Sequence, residues 1–212
     1  MTGLSAEQLD FRYPDGTSVL AALTLTIARG EMVVILGANG SGKSTLLRLL
    51  AGLMRPTSGS ITVEGAPIAH ARDRVGLVFQ NPDHQMITPS VTEELALGLE
   101  LRGLPVGDIR EHVEETLQRF DLMDLRAQSP EALSGGQKQR VALAAIMVMR
   151  PDYLLFDEPD SLLDAPARSE FMRSVDLLRP ACGILWTCPH PKRMPTSDRL
   201  FELAEGTLHA RA

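Results

Sequence analysis

Apolar and polar residues alternate from Leu4 to Arg12 and again from Val19 to Ile27, the period of strands with one face buried. Between them Tyr13-Pro14-Asp15-Gly16-Thr17 carries the residues of a tight turn. Arg29-Gly30-Glu31 makes a second turn. The next run, Met32-Val33-Val34-Ile35-Leu36, is a short apolar stretch of strand type. Ser60 to Glu64 alternates and ends at Gly65, and Arg74 to Phe79 is a further strand candidate. From Val91 to Leu133 the spacing changes to three and four. Leu95, Leu99 and Arg102 share one helical face, and Val106, Ile109, Val113, Leu117 and Phe120 share another. Acids follow Ser90 where a helix begins. Gly135 to Met149 predicts a helix, Tyr153 to Phe156 a buried strand, Ala165 to Leu178 a helix and Ile184 to Cys188 a strand. Arg199–Leu203 and Thr207–His209 close a hairpin around Glu205-Gly206.

The chain's organising stretch follows the first fully apolar run. Gly37-Ala38-Asn39-Gly40-Ser41-Gly42-Lys43-Ser44 fits the phosphate-loop pattern at every fixed position. Thr45 to Ala51 is rich in helix formers and stops at Gly52. A strand, a glycine-rich turn and a helix aim backbone N–H groups and the positive end of a helix dipole at one point, and a triphosphate suits it. Lys43 would reach the β- and γ-phosphates, and the Ser44 hydroxyl would hold Mg²⁺.

The 212 residues suit one domain with a subdomain, and 44% hydrophobic content is enough for a core. A net charge of −6 argues against a nucleic-acid binder. No apolar run approaches the ~20 residues that span a bilayer. The first residues have no basic and apolar regions of a signal peptide, so none is expected. Cys182 and Cys188 fit no metal spacing and read as reduced thiols of a cytosolic protein. Membrane association would come through a partner.

Two further segments carry chemistry. Ser134-Gly135-Gly136-Gln137 precedes a helix. It reads as a Ser N-cap with a tight turn, or as a second anion site built from a hydroxyl and backbone N–H groups. Asp157 and Glu158 end an apolar strand. They read as a solvated acidic turn, or as one carboxylate for Mg²⁺ and another that orients an attacking water.

In order, the chain carries a phosphate loop, Gln80, the Ser134–Gln137 segment, the Asp157–Glu158 pair and His190. From Tyr13 to Gly206 this set resembles the ATP-binding subunits of ABC transporters. The resemblance implies an α/β fold: a P-loop NTPase core with an N-terminal antiparallel β-subdomain and an inserted helical subdomain. The expected division is a single domain, with residues 1–80 and 150–212 as the core and 81–149 as the helical subdomain. It implies that Tyr13 stacks on adenine and that Gly37, Ala38, Asn39, Gly40, Ser41, Gly42, Lys43, Ser44 and Thr45 wrap the phosphates. Ser44, Gln80 and Asp157 would serve Mg²⁺. Glu158 would be the base that polarises water, with Gln80 and His190 at the γ-phosphate end. Ser134, Gly135, Gly136 and Gln137 would bind the ATP held by a second subunit, and Ser161-Leu162-Leu163-Asp164 would cross the dimer interface.

A narrower resemblance rests on Phe11 to Thr17, on Val78-Phe79-Gln80-Asn81-Pro82-Asp83-His84-Gln85 and on Val91 to Gly98. These segments are similar to the ATPases of energy-coupling factor and cobalt/nickel-type importers. The implied protein is an ATPase on the cytoplasmic face of the membrane. Its partners would be a membrane-embedded transport subunit and a second ATPase, identical or similar. The segment after Gln80 would meet the membrane partner.

There are departures. Asp160 stands where the family usually has Thr or Ser, and His84 replaces a common acid. Cys188-Pro189-His190-Pro191 replaces apolar-Thr-His-Asp, so two prolines fix the backbone around the histidine and remove donors. Many relatives continue beyond the closing hairpin into a helical extension that helps hold the dimer. Without it, the chain is expected to be largely monomeric and to dimerise on ATP.

Two other functions are compatible with a phosphate loop. A soluble ABC-type ATPase of DNA repair or translation usually has fused cores or a long coiled coil, and neither pattern is present. A non-catalytic binding module would have lost Lys43, Asp157 or Glu158, and all are intact. The transported substrate is not readable, because the ATPase does not touch it.

Overall fold

The structure is a computed structural model that describes residues 2–211. Among these, the chain divides into two compact units. One comprises the residues up to Leu77, Asp152–Glu158 and those from Arg179 on. The other comprises Val78–Pro151 and Pro159–Leu178.

The first unit holds both sheets. β1 (Leu4–Arg12) and β2 (Ser18–Ile27) pair antiparallel, and β1 pairs on its other side with β4 (Ser58–Val63). The short β5 (Ala66–Pro67) completes a 4-stranded sheet of order β2-β1-β4-β5. Leu4, Ala6, Leu9 and Phe11 are buried along β1, and the alternation written in the sequence slips by one residue between Ala6 and Leu9, where the pairing is irregular.

The 6-stranded sheet has the order β10-β9-β3-β8-β7-β6. It is formed by β3 (Met32–Leu36), β6 (Val75–Val78), β7 (Tyr153–Asp157), β8 (Gly183–Cys188), β9 (Arg199–Ala204) and β10 (Thr207–Arg211). β3 runs parallel to β8 and β9, and β7 parallel to β8, so these strands end together. Every residue of β7 and β8 is buried, which is why both are mainly apolar, with Asp157 and Thr187 the polar side chains among them. α1 (Lys43–Leu50) lies between the sheets. Leu46, Leu47 and Leu50 join a cluster with Leu9, Leu20 and Ile27 from one sheet and Val33, Ile35, Leu155 and Leu185 from the other.

The second unit is helical: α2 (Val91–Leu101), α3 (Val106–Arg119), α4 (Gly135–Met147) and α5 (Ala165–Asp176). Val91, Leu95 and Leu99 of α2 are buried, as are Val113 and Leu117 of α3 and Val141 to Ala144 of α4. Side-chain oxygens of Ser90, Ser134 and Asp164 cap α2, α4 and α5. α5 falls within this second unit. It packs on α4, with Phe171 and Val175 buried, and its composition alone does not reveal which neighbour covers that face.

Candidate functional site

The ends of β3 and β7 carry the phosphate loop and the acidic pair. Gly40 and Gly42 have φ of 79° and 102°, the left-handed region that favours glycine. A Cβ on Gly42 would lie 2.7 Å from Val19 Cγ1, and one on Gly37 would lie 2.9 Å from the Leu203 carbonyl. Glycine is therefore required at both places for space as well as for conformation at Gly42. No side chain caps α1, and its first turn holds no acid. A helix start without a side-chain cap leaves N–H groups that suit an anion.

Lys43 is only 4% exposed and sits among oxygens. Nζ donates to the Gly37 carbonyl at 2.6 Å and the Ala38 carbonyl at 3.0 Å, and lies 3.1 Å from Glu158 Oε1. Ser44 Oγ donates to Asp157 Oδ1 at 2.9 Å. Asp157 is buried, and burial pushes its carboxyl above the ordinary 3.8. The Ser44 hydrogen bond opposes this and the neighbouring charge of Glu158 adds to it. Glu158 has a φ of 47°, rare for a residue with a side chain. Its N–H donates to Thr187 Oγ1 at 3.1 Å, and Thr187 in turn donates to the Phe156 carbonyl at 3.0 Å. Thr187 is fully buried in β8 and so fixes the backbone on which both acids stand.

Tyr13 shares a 3.0 Å hydrogen bond with Thr45 Oγ1, and its ring meets Phe11 edge-on at 4.9 Å between centroids. His190 lies in a short loop after β8. Its Nδ1 accepts the Lys192 N–H at 3.1 Å, which leaves Nε2 to carry the proton of the neutral ring. The Cys188 thiol donates to the His190 carbonyl at 3.0 Å, and the Gly37 N–H donates to the Cys188 carbonyl at 3.3 Å. These bonds tie the proline-flanked loop to the start of the phosphate loop.

The other expected site residues belong to the helical unit. Gln80 Nε2 donates to Ser161 Oγ at 3.1 Å. Ser134 and Gln137 form a reciprocal capping box: Ser134 Oγ accepts the Gln137 N–H at 3.3 Å, and Gln137 Oε1 accepts the Ser134 N–H at 2.9 Å. A Cβ on Gly135 would meet nothing within 4 Å, whereas one on Gly136 would lie 2.7 Å from the Ala167 Cβ. Asp164 caps α5 by accepting the Ala167 N–H at 2.9 Å.

The profile of the ABC transporter family matches residues 20–161. The energy-coupling factor transporter ATP-binding protein EcfA of Methanocaldococcus jannaschii is 37% identical over 97% of this chain and 77% of its own length. EcfA1 of Symbiobacterium thermophilum is 43% identical over 88% of this chain and 68% of its own. The chain is an ABC transporter ATP-binding protein of the energy-coupling factor group. The structure of cbiO1 from Clostridium perfringens, part of the ABC transporter complex cbiONQ, is similar with a TM-score of 0.86 and 34% identity, over 97% of this chain and 86% of that one. The family binds ATP and couples its hydrolysis to transport, so this chain is an ATPase. It is the ATP-binding subunit of an importer of the energy-coupling factor type. Among the described residues no helix is long and apolar enough to cross a membrane.

Residues outside the expected site also shape this ATPase. Thr187 was missed, although a hydroxyl inside the apolar run Ile184 to Cys188 is a visible signal. Gln139, almost fully buried, donates to the Phe79 carbonyl at 3.2 Å, and Gln85 donates to the Ala142 carbonyl at 2.9 Å. Lys138 pairs with Asp83 at 2.6 Å. Together they fasten the segment after Gln80 to α4. Glu94, also buried, accepts the N–H groups of Ile87 and Thr88 and the Thr88 hydroxyl, which leaves Ile87 projecting at 78% exposure.

Proposed function

We propose that ATP binds with its phosphates over Gly37 to Thr45 and its adenine against Tyr13. Hydrolysis then occurs between Lys43 and Glu158. The observation that carries this reading is the convergence of an uncapped helix start, a buried lysine and two carboxylates at the ends of β3 and β7. Lys43 draws charge from the β- and γ-phosphates. Glu158 accepts a proton from the attacking water, and its constrained backbone holds the carboxylate in place before ATP arrives.

Ser44 and Asp157 fit Mg²⁺. They offer adjacent hard oxygens, and no group of three His, Cys, Asp or Glu side chains among the described residues competes as a closed metal cage. Ser44 and Asp157 would hold the ion, which when bound would supply positive charge to offset that of the phosphates. His190 serves the γ-phosphate end, and its Nε2–H is a ready donor.

The assembly follows from the same reading. The Ser134–Gln137 segment and the loop ending at Asp164 face the ATP of a second ATPase, identical or similar. The open space at Gly135 supports a contact supplied from outside the chain. Ile87 and the braced segment after Gln80 dock a membrane-embedded subunit, which places the ATPase peripherally on the cytoplasmic face. The relatives and the cbiONQ complex support that partner. Phosphate release from MgATP by the purified chain, abolished in Glu158→Gln with ATP binding retained, tests the catalytic part. Co-purification with membrane protein when expressed beside its genomic neighbours tests the assembly.

A further inference from the structure

Asp160 lies two positions beyond Glu158, with a side chain only 3% exposed. Its Oδ2 accepts from Arg168 Nε at 2.5 Å. A carboxylate so buried is tolerable only when paired, so the bond fixes both partners. Arg168 is in the first turns of α5, whose cap is Asp164. The ion pair therefore spans the loop Ser161–Leu163 from one end to the other. Within it the Leu163 N–H returns to the Asp160 carbonyl at 3.2 Å, and Leu162 projects at 65% exposure. Ala167, beside Arg168, lies so close to Gly136 that no side chain fits between them.

We propose that Asp160 and Arg168 are positioning residues for closure on ATP: their ion pair holds the loop Ser161–Asp164 and, through Ala167 against Gly136, the start of α4 as one rigid edge presented to a second ATPase. This rests on the reading above that these segments meet a second copy. A neutral residue at position 160 keeps the fold but loosens this edge, and closure then costs the entropy of ordering it. The expected loss is in closure and not in the monomer's own hold on ATP, which the reading above gives to residues 37–45.

The test uses the full chain carrying Glu158→Gln, so that ATP is bound and not consumed. Dimerisation is followed by sedimentation with ATP, ATP binding by calorimetry and folding by a thermal melt. Asp160→Asn keeps the shape and removes the charge, so it tests the pair even if Arg168→Met, which strands a buried carboxylate, fails to fold. Asp160→Asn/Arg168→Met relieves that stranded charge. We expect Asp160→Asn and the double variant to weaken the ATP-bound dimer about tenfold each, the second change adding little, as coupled residues do. ATP affinity should be unchanged. A lower melting temperature with an unaltered dimer constant would make the pair merely structural and overturn the inference while leaving the dimer reading intact. No dimer in Glu158→Gln itself at any ATP concentration would overturn that reading and the inference with it.

Discussion

Ser44 Oγ donates a 2.9 Å hydrogen bond to Asp157 Oδ1 across 113 residues of sequence. That bond joins the first turn of α1 to the end of β7, and it satisfies a carboxylate that burial has pushed above its ordinary 3.8. A raised carboxyl binds its proton more tightly in the folded chain than in the unfolded one. Its contribution to stability is present below 3.8 and is lost as pH rises through the raised value. At neutral pH the buried charge of Asp157 therefore costs stability. Asp157→Asn keeps an acceptor for Ser44 and should raise the melting temperature without nucleotide or magnesium, by about 2–4 °C for each kcal/mol recovered. The same variant should lose the stabilisation that added MgATP gives the parent. A lower melting temperature in Asp157→Asn would contradict this account.

Thr187 holds Glu158 through its backbone N–H. Thr187→Val conserves volume and removes the acceptor, at a cost of about 1–2 kcal/mol of stability. Turnover should fall about tenfold while the KM for ATP stays put, because the base is displaced and the phosphate loop is not. A raised KM with unchanged kcat, read from steady-state phosphate release, would place Thr187 in nucleotide binding instead.

Lys43 is held by the carbonyls of Gly37 and Ala38 and by Glu158. Lys43→Met keeps the stem and removes the charge. It should weaken ATP more than about tenfold, since a charge-assisted contact to phosphate is lost in a buried place. Equal affinity of the two proteins by calorimetry would remove Lys43 from the phosphate contacts.

The Tyr13 hydroxyl bonds to Thr45, and its ring is what would meet adenine. Tyr13→Ala should cost about 1–3 kcal/mol of ATP binding, the worth of a base stacked on an aromatic ring. Tyr13→Phe should cost little. A phenylalanine variant as weak as the alanine one would assign the effect to the Thr45 bond and not to stacking.

The parts of this ATPase that were legible in sequence are those whose chemistry is local. Gly37 to Ser44 is contiguous, and its glycines are fixed by the turn they make themselves. The strands β3, β7 and β8 were marked by short, mainly apolar runs, and the burial of β7 by the run Tyr153 to Phe156. The capping reading of Ser134 was also available, because Gln137 stands at the third position beyond it. What remained hidden depends on partners distant in sequence. Thr187 finds Glu158 across 29 residues, and Gln139 finds Phe79 across 60. No period or motif marks such pairs. The neighbour of α5 is hidden for the same reason: its apolar stripe says that a face is buried and does not say by what.

The assembly has its own test in the Ser134–Gln137 segment. Ser134→Arg keeps the helix but sets a bulky charge where a second subunit's ATP would lie. It should leave ATP binding by the monomer within about twofold and abolish ATP-driven dimerisation. Unimpaired dimerisation of this variant would mean that the interface lies elsewhere.

The account stands on Glu158 as the base beside Lys43. The most direct measurement is ATP binding and phosphate release by the parent and by Glu158→Gln, side by side with magnesium present. Gln keeps the shape and an acceptor for Lys43 but takes up a proton poorly. The account requires turnover to fall more than about 100-fold while ATP affinity is retained. Near-parental turnover in Glu158→Gln, or loss of ATP binding along with activity, would contradict it.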